Sequence, residues 1–257
     1  MKRLVLALVL AVASAAAAAA DFGAVVMHGK WGSPDQHVAA IASALAKQGY
    51  LVVSPEMPWS RRRNYDRTVE EADAEIDAQI EKLRAGGAQR IVLVGHSMGA
   101  AYALHYAGRS QVDAIVAIAP GHRPEAPRIA QALANDVSRA RNLVAAGKGA
   151  EVVSFTDFNT GGRRSRISAS AAVFASYFDP QGPMNLSRNA AGIKPAPVLW
   201  LVPAREESPL REGNLALFKR LPENRSNRLG EPSSDHLNAP QASVEMVVEW
   251  LRGLEKK

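Results

Sequence analysis

The sequence predicts an α/β fold: a mostly parallel sheet of about six or more strands flanked by helices, with a helical cap or insertion over residues 121–197. Three observations lead there. Ala24–Met27, Leu51–Ser54, Ile91–Val94, Ala114–Ala119 and Val198–Val202 are short, continuously apolar runs rich in Val, Ile and Leu. Unbroken rather than alternating hydrophobicity marks strands buried on both faces, as in a parallel sheet. Helix-period segments lie between these runs, and one long stretch, Gly121 to Pro197, breaks the alternation without a comparable strand signal.

Taken in order, the chain opens with Met1, Lys2 and Arg3, an apolar run from Leu4 to Val12, and small residues from Ala13 to Ala20. This order matches a secretory signal peptide, residues 1–20, with an Ala-x-Ala type cleavage site. An uncleaved anchor is the runner-up, since Leu4 to Ala20 carries no charge; alanine anchors weakly and the strongly apolar part is short, so cleavage near Ala20 is favoured. Residues 21–257 then form a single domain, periplasmic or secreted, with no stable membrane anchor after cleavage. From Pro34 to Gln48 the stripe Val38, Ile41 and Leu45 predicts a helix, with Ser33 and Gln36 as a capping box and Gly49 as its end. From Val69 to Ala85 the stripe is Val69, Ala72, Ile76, Ile80 and Leu83, capped by Thr68 with Glu71 and ended by Gly86. Arg128 to Gly147 reads as an amphipathic helix, and Phe155 to Gly182 is mixed; the whole stretch is too long for a simple crossover. A last helix runs from about Ala239 to Leu254, with Val244, Val247, Val248 and Leu251 facing inward.

Composition narrows the function. The chain has 257 residues, 47% hydrophobic and 22% charged, values of a folded globular protein. The absence of cysteine excludes disulfides, thiolate metal sites and a cysteine nucleophile. The net charge of +6 is a moderate basic excess, short of what nucleic-acid binding calls for. No metal-ligand cluster, Walker loop or dinucleotide Gly-x-Gly-x-x-Gly is present, so no cofactor is expected.

The chemistry centres on Gly95-His96-Ser97-Met98-Gly99, which follows the strand Ile91–Val94 and precedes the helix-period residues Met98, Ala101 and Leu104. Gly-x-Ser-x-Gly between strand and helix is the nucleophile elbow. The serine occupies a sharp turn whose flanking positions must be small, and its Oγ stands exposed at the carboxyl edge of the sheet. The helix N-terminus beneath it, with the Met98 N–H, favours a developing oxyanion.

At this point the chain resembles the α/β-hydrolase superfamily, over nearly all of Asp21 to Leu254. His28-Gly29, directly after the first strand, is the next marker. The resemblance implies that Lys30 supplies the second oxyanion-hole N–H and that His28 is a structural hydrogen-bonder. It also implies the chain order nucleophile, acid, histidine. His236, in a loop before the last helix, stands where the base is expected. The acid falls just past Val198–Val202, where Glu206 and Glu207 are available in place of the usual Asp, with Glu206 preferred from register. Asp235, adjacent to His236, is poorly placed to bridge it, and Glu56 is the other outside acid.

Trp31, Trp59, His122 and Tyr177 are candidates for lining the substrate site, and the partner implied is a small-molecule acyl substrate. Arg61-Arg62-Arg63 and Arg163-Arg164-Ser165-Arg166 would give the mouth a basic rim suited to an anionic one, or are simply solvated loop charge. Two functional readings stand. The first is an exported serine hydrolase of carboxylesterase type, with Ser97, His236 and Glu206 as a triad. The second is a non-catalytic binding protein on the same fold, whose basic mouth engages an acidic partner.

Overall fold

The computed structural model describes residues 22–159 and 162–255; the signal-peptide segment 1–20 lies outside them. Six strands form one sheet in the order β2-β1-β3-β4-β7-β8, every neighbouring pair parallel: β1 (Phe22–Met27), β2 (Leu51–Val53), β3 (Arg90–His96), β4 (Ala114–Ile118), β7 (Val198–Leu201) and β8 (Arg228–Gly230). Register is set in the central strands, where Val26 lies opposite Val94 and Val94 opposite Val116.

The unbroken apolar runs are explained by where each side chain goes. Val25, Met27, Ile91, Leu93, Ile115, Ala117, Val198 and Trp200 point to one face and join a large core. Ala24, Val26, Val92, Val94, Val116, Ile118, Leu199 and Leu201 point to the other. Both sets are buried, so the period of two is invisible in the sequence although it governs the packing. Helices α2 (Val69–Ala85) and α3 (Met98–Arg109) cover the first face, while α1 (Ala39–Lys47) and α9 (Val244–Glu255) cover the second. Burying each of these Val, Ile and Leu side chains contributes about 1.5–3 kcal/mol, which makes the sheet a stiff platform for whatever its carboxyl edge carries.

The α2 capping box forms as expected: Thr68 Oγ1 accepts from the Glu71 N–H and Glu71 accepts from the Thr68 N–H. Two helix boundaries differ from the sequence reading. Helix α1 starts at Ala39 rather than Pro34, because Ser33 donates to Asp35 instead of capping and residues 33–38 close successive turns. The last helix is split into α8 (Ala239–Ala242) and α9, since Ser243 Oγ donates back to the Ala239 carbonyl at 2.6 Å and interrupts the ladder.

The stretch 121–197 is not all helical. Between α4 (Pro127–Ala145) and the pair α5 (Ala171–Phe178) and α6 (Leu186–Gly192) lies an antiparallel hairpin, β5 (Val152–Phe158) with β6 (Arg164–Ser170). These strands are half-buried: Val153, Phe155, Asp157, Ile167 and Ala169 face inward, while Val152, Ser154, Arg164, Arg166 and Ser168 face out. Their signal is therefore alternation diluted by arginine and serine, not a continuous apolar run. Phe155 stacks on Phe174 at 4.1 Å between ring centroids and ties the hairpin to α5. Helix α7 (Leu210–Phe218) and the three-residue edge strand β8 complete the chain between β7 and α8.

Candidate active site

Strand β3 ends at His96 and α3 begins at Met98, so Ser97 alone turns the chain, with φ 53° and ψ −113°. A positive φ in a residue with a Cβ is strained and persists only where the surroundings enforce it. The flanking glycines show how: a Cβ on Gly95 would stand 2.2 Å from the Gly99 carbonyl oxygen, and one on Gly99 would stand 2.5 Å from that of Met27. Helix α3 thus begins in direct backbone contact with β1 and β3. The Ser97 N–H donates to Ile118 O at 2.9 Å, and the Gly121 N–H to Ser97 O at 3.1 Å, fixing the turn to the end of β4.

Two loops from the far end of the chain meet Ser97. Ser97 Oγ lies 2.9 Å from His236 Nε2, and His236 Nδ1 lies 2.6 Å from Glu206 Oε2. With Nε2 accepting the hydroxyl proton, Nδ1 carries the ring proton and donates it to the carboxylate. Glu206 is only 7% exposed, whereas Glu207 is exposed to solvent. The Glu206 N–H closes a turn onto Pro203 O, and the Ala204 and Arg205 N–H groups donate to Pro232 O and Ser234 O, lacing the acid loop to the histidine loop. Asp235 is occupied by the Asn238 N–H and side chain, and Glu56 by Ser60 and Arg62, so neither touches His236.

One contributor escaped the sequence reading although it sits in the elbow itself. His96 Nε2 donates to the His236 carbonyl oxygen at 2.8 Å, pinning the histidine loop from beneath. Burial, with the neighbouring His236 second, lowers its pKa to about 3, so the ring is a neutral donor. The residues beside it in the chain carry no signal of this, because the bond spans 140 residues.

Lys30 and Met98 flank the serine. Met98 is the first residue of α3, so its N–H is one of the donors a helix start leaves free, at the positive end of the dipole. Lys30 sits in a turn closed by the Gly32 N–H on Gly29 O at 3.1 Å. A Cβ on Gly29 would lie 3.2 Å from Ser97 Cβ, so this turn runs directly past the serine. His28 anchors it: Nε2 accepts the Met57 N–H at 3.1 Å and Nδ1 donates to Gly29 O at 2.8 Å, with burial lowering its pKa.

The residues read as substrate-lining divide. Trp31 is half-buried and lines a polar surface pocket with Arg61, Arg62 and Glu56. His122 packs edge-on against Phe178 and donates from Nε2 to Tyr177 O. Trp59 and Tyr177 are fully enclosed, 6.1 Å apart between ring centroids, and offer no surface to a ligand; the expectation that they line the site gives way to a packing role. The physical reason is that Trp59 Nε1 donates to His28 O, which turns the indole into the core beneath the Lys30 turn. The arginine clusters divide too. Arg63 is bound to Glu75 and Asp66, Arg62 to Glu56, and Arg166 to Ser154 and Thr156. Arg61 and Arg163 are exposed, and Arg128 and Arg164 place their guanidinium groups about the Phe158 ring. Among the described residues no group of three or more His, Asp or Glu side chains could hold a metal.

The arrangement lets an imidazole withdraw a proton from a strained serine that stands at the start of a helix. Residues 24–249 match the family model described as "Alpha/beta hydrolase family". Among solved structures the chain is similar to a monoacylglycerol lipase of Paleococcus ferrophilus (23% identity, 89% of this chain and 93% of that one covered, TM-score 0.63). It is also similar to the alpha/beta hydrolase GrgF from Penicillium sp. sh18 (18%, 93% and 90%, TM-score 0.66) and to Est1E from Butyrivibrio proteoclasticus (16%, 91% and 90%, TM-score 0.59). No curated protein matches the chain in sequence.

Proposed function

The chain belongs to the alpha/beta hydrolase family, and from that premise we propose that it is an exported serine hydrolase of carboxylesterase type working through Ser97, His236 and Glu206. The observation that carries the reading is the unbroken line from Glu206 through His236 to the strained Ser97, with hydrogen-bond distances of 2.6 and 2.9 Å. His236 removes the Ser97 proton as Oγ attacks an acyl carbonyl, and Glu206 stabilises the imidazolium that forms. The carbonyl oxygen becomes an oxyanion held by the Lys30 and Met98 N–H groups; each such donor is typically worth about 10²–10³ in rate. The intermediate collapses, His236 protonates the departing alcohol, and the acyl group stays on Ser97. Water, deprotonated by the same imidazole, then releases the carboxylic acid and restores the serine.

The substrate is a small or medium acyl ester. An anionic one is favoured by the basic rim of Arg61, Arg128, Arg163 and Arg164, which have no carboxylate partner at ion-pair distance among the described residues. The amino-terminal Lys2-Arg3 start, apolar run and alanine stretch support export to the periplasm or beyond. A Glu standing where Asp is usual would favour the non-catalytic reading if it left the histidine unsupported, and the short Glu206–His236 contact speaks against that. A panel of p-nitrophenyl esters, half of them bearing an acyl-terminal carboxylate, tests the proposal. Turnover that is lost in Ser97→Ala supports it; no hydrolysis of any ester by folded protein overturns it.

A further inference from the structure

The side chain of Lys30 does something the hydrolase reading does not require. It runs up from the turn beside Ser97 and inserts into the cap hairpin, where Nζ donates to Asp157 Oδ1 at 2.7 Å and to Phe158 O at 3.2 Å. The lysine side chain is 12% exposed and Asp157 is fully buried. The next residue makes a parallel contact: Trp31 Nε1 donates to Asn159 Oδ1 at 3.3 Å. Three consecutive residues at the end of β5 therefore hold two consecutive residues of the turn. Trp31 has φ 59°, a left-handed conformation that a tryptophan adopts only under constraint. Its own N–H donates to Trp59 O at 3.0 Å, a further backbone tie on that residue.

A buried ion pair is a poor way to add stability, because withdrawing both charges from water offsets most of the attraction between them. What it supplies is geometry. Asp157 Oδ2 has no hydrogen-bond partner among the described residues, so the carboxylate is fixed through Lys30 alone. The atom that this geometry controls is the Lys30 backbone nitrogen, in the turn that runs so close to the serine that a Cβ on Gly29 would lie 3.2 Å from Ser97 Cβ. We propose that Asp157 is a positioning residue: acting through the Lys30 ammonium, it holds the Gly29–Gly32 turn so that the Lys30 N–H faces the oxyanion, and the cap hairpin thereby sets the rate of the chemistry at Ser97. The proposal rests on the serine-hydrolase reading above.

A clamp on an oxyanion donor acts on the transition state more than on the bound ester, so its loss lowers kcat and leaves KM nearly unchanged. The test compares Asp157→Asn, which keeps the shape and removes the charge, with Asn159→Ala and Trp31→Phe, which cut the second tie from its two ends and leave the buried charges paired. Asn159→Ala also loses the Asn159 Nδ2–Ser165 Oγ bond and Trp31→Phe alters the edge contact with Tyr65, so an effect shared by both belongs to the tie. Each protein is titrated to completion with a fluorophosphonate to count reactive serines. Then kcat, KM and the inhibition constant of a trifluoromethyl ketone, which forms a tetrahedral oxyanion adduct, are measured. The expected result for Asp157→Asn is a kcat lowered about 10- to 100-fold per reactive serine, less than full loss of a donor. KM should stay within about threefold, and ketone affinity should fall by the same factor as kcat. Asn159→Ala and Trp31→Phe shift kcat and ketone affinity together in the same direction by a smaller factor, and keep the proposal testable if Asp157→Asn does not fold. Unchanged kcat, or a fall in kcat with ketone affinity intact, overturns the clamp while leaving the hydrolase reading standing. A parent that never reacts with the fluorophosphonate overturns the hydrolase reading and the clamp with it.

Discussion

Replacing Glu206 by Gln removes one charge from a site where little else can compensate for it. The carboxylate oxygen lies 2.6 Å from His236 Nδ1, and the glutamate side chain is 2% exposed. When His236 takes the serine proton, a new positive charge appears beside that carboxylate. At an effective dielectric of 20 the attraction is about 6 kcal/mol, which is about four orders of magnitude in rate at 1.36 kcal/mol per decade. Glutamine also presents an N–H₂ that can turn toward Nδ1, reversing the ring tautomer so that Nε2 no longer accepts from Ser97. A loss of about 10⁴ is the size expected when a triad acid is replaced by its amide. Glu207→Gln is the control: that side chain is exposed and lies outside the line, so its kcat should stay within about twofold of the parent. Glu206→Asp, one methylene shorter, should fall between. The assay is kcat on a saturating activated ester, normalised by active-site titration. A Glu206→Gln enzyme within tenfold of the parent, or a Glu207→Gln enzyme as slow as Glu206→Gln, refutes the argument.

Two further outcomes follow from the same geometry. His96 titrates near 3 in the fold against 6.5 for an ordinary histidine, so the unfolded chain binds a proton there that the folded chain refuses. Its stabilising contribution is complete above about pH 6.5 and is lost as pH falls toward 3, about 2 kcal/mol between pH 7 and 5 in urea unfolding; a His96→Asn protein lacks that component, and an identical pH dependence would contradict it. Gly121→Ala places a methyl 2.8 Å from Ser97 Oγ, pushing the hydroxyl off its 2.9 Å contact with His236. It should lower kcat about 10²-fold with little change in unfolding midpoint, and unchanged kcat would show that the wall yields.

Which features are legible in the amino-acid sequence depends on the range of the interaction behind each. The elbow is legible because its requirement is local: two glycines within four residues of each other make room for one strained serine. The sheet is legible because a strand buried on both faces has no polar phase, as Val92 and Leu93 show by pointing into different cores. The β5–β6 hairpin is not, since Ser154, Arg164 and Arg166 on its outer face dilute the alternation of Val153, Phe155 and Ile167. In the site, register after β7 is enough to prefer Glu206 over Glu207, and Glu206 is the one that lies against His236. The supporting contacts are beyond reach. His96 acts on a carbonyl 140 positions away and Asp157 on a lysine 127 positions away, and neither pairing leaves a pattern in the residues around it.

The central claim is that Ser97 is an activated nucleophile, and covalent labelling with a fluorophosphonate followed by peptide mass spectrometry tests it most directly. The account predicts one label per molecule, on the peptide carrying Ser97, absent in Ser97→Ala and suppressed in His236→Ala. A folded parent that stays unlabelled, or one labelled at another residue, would contradict it.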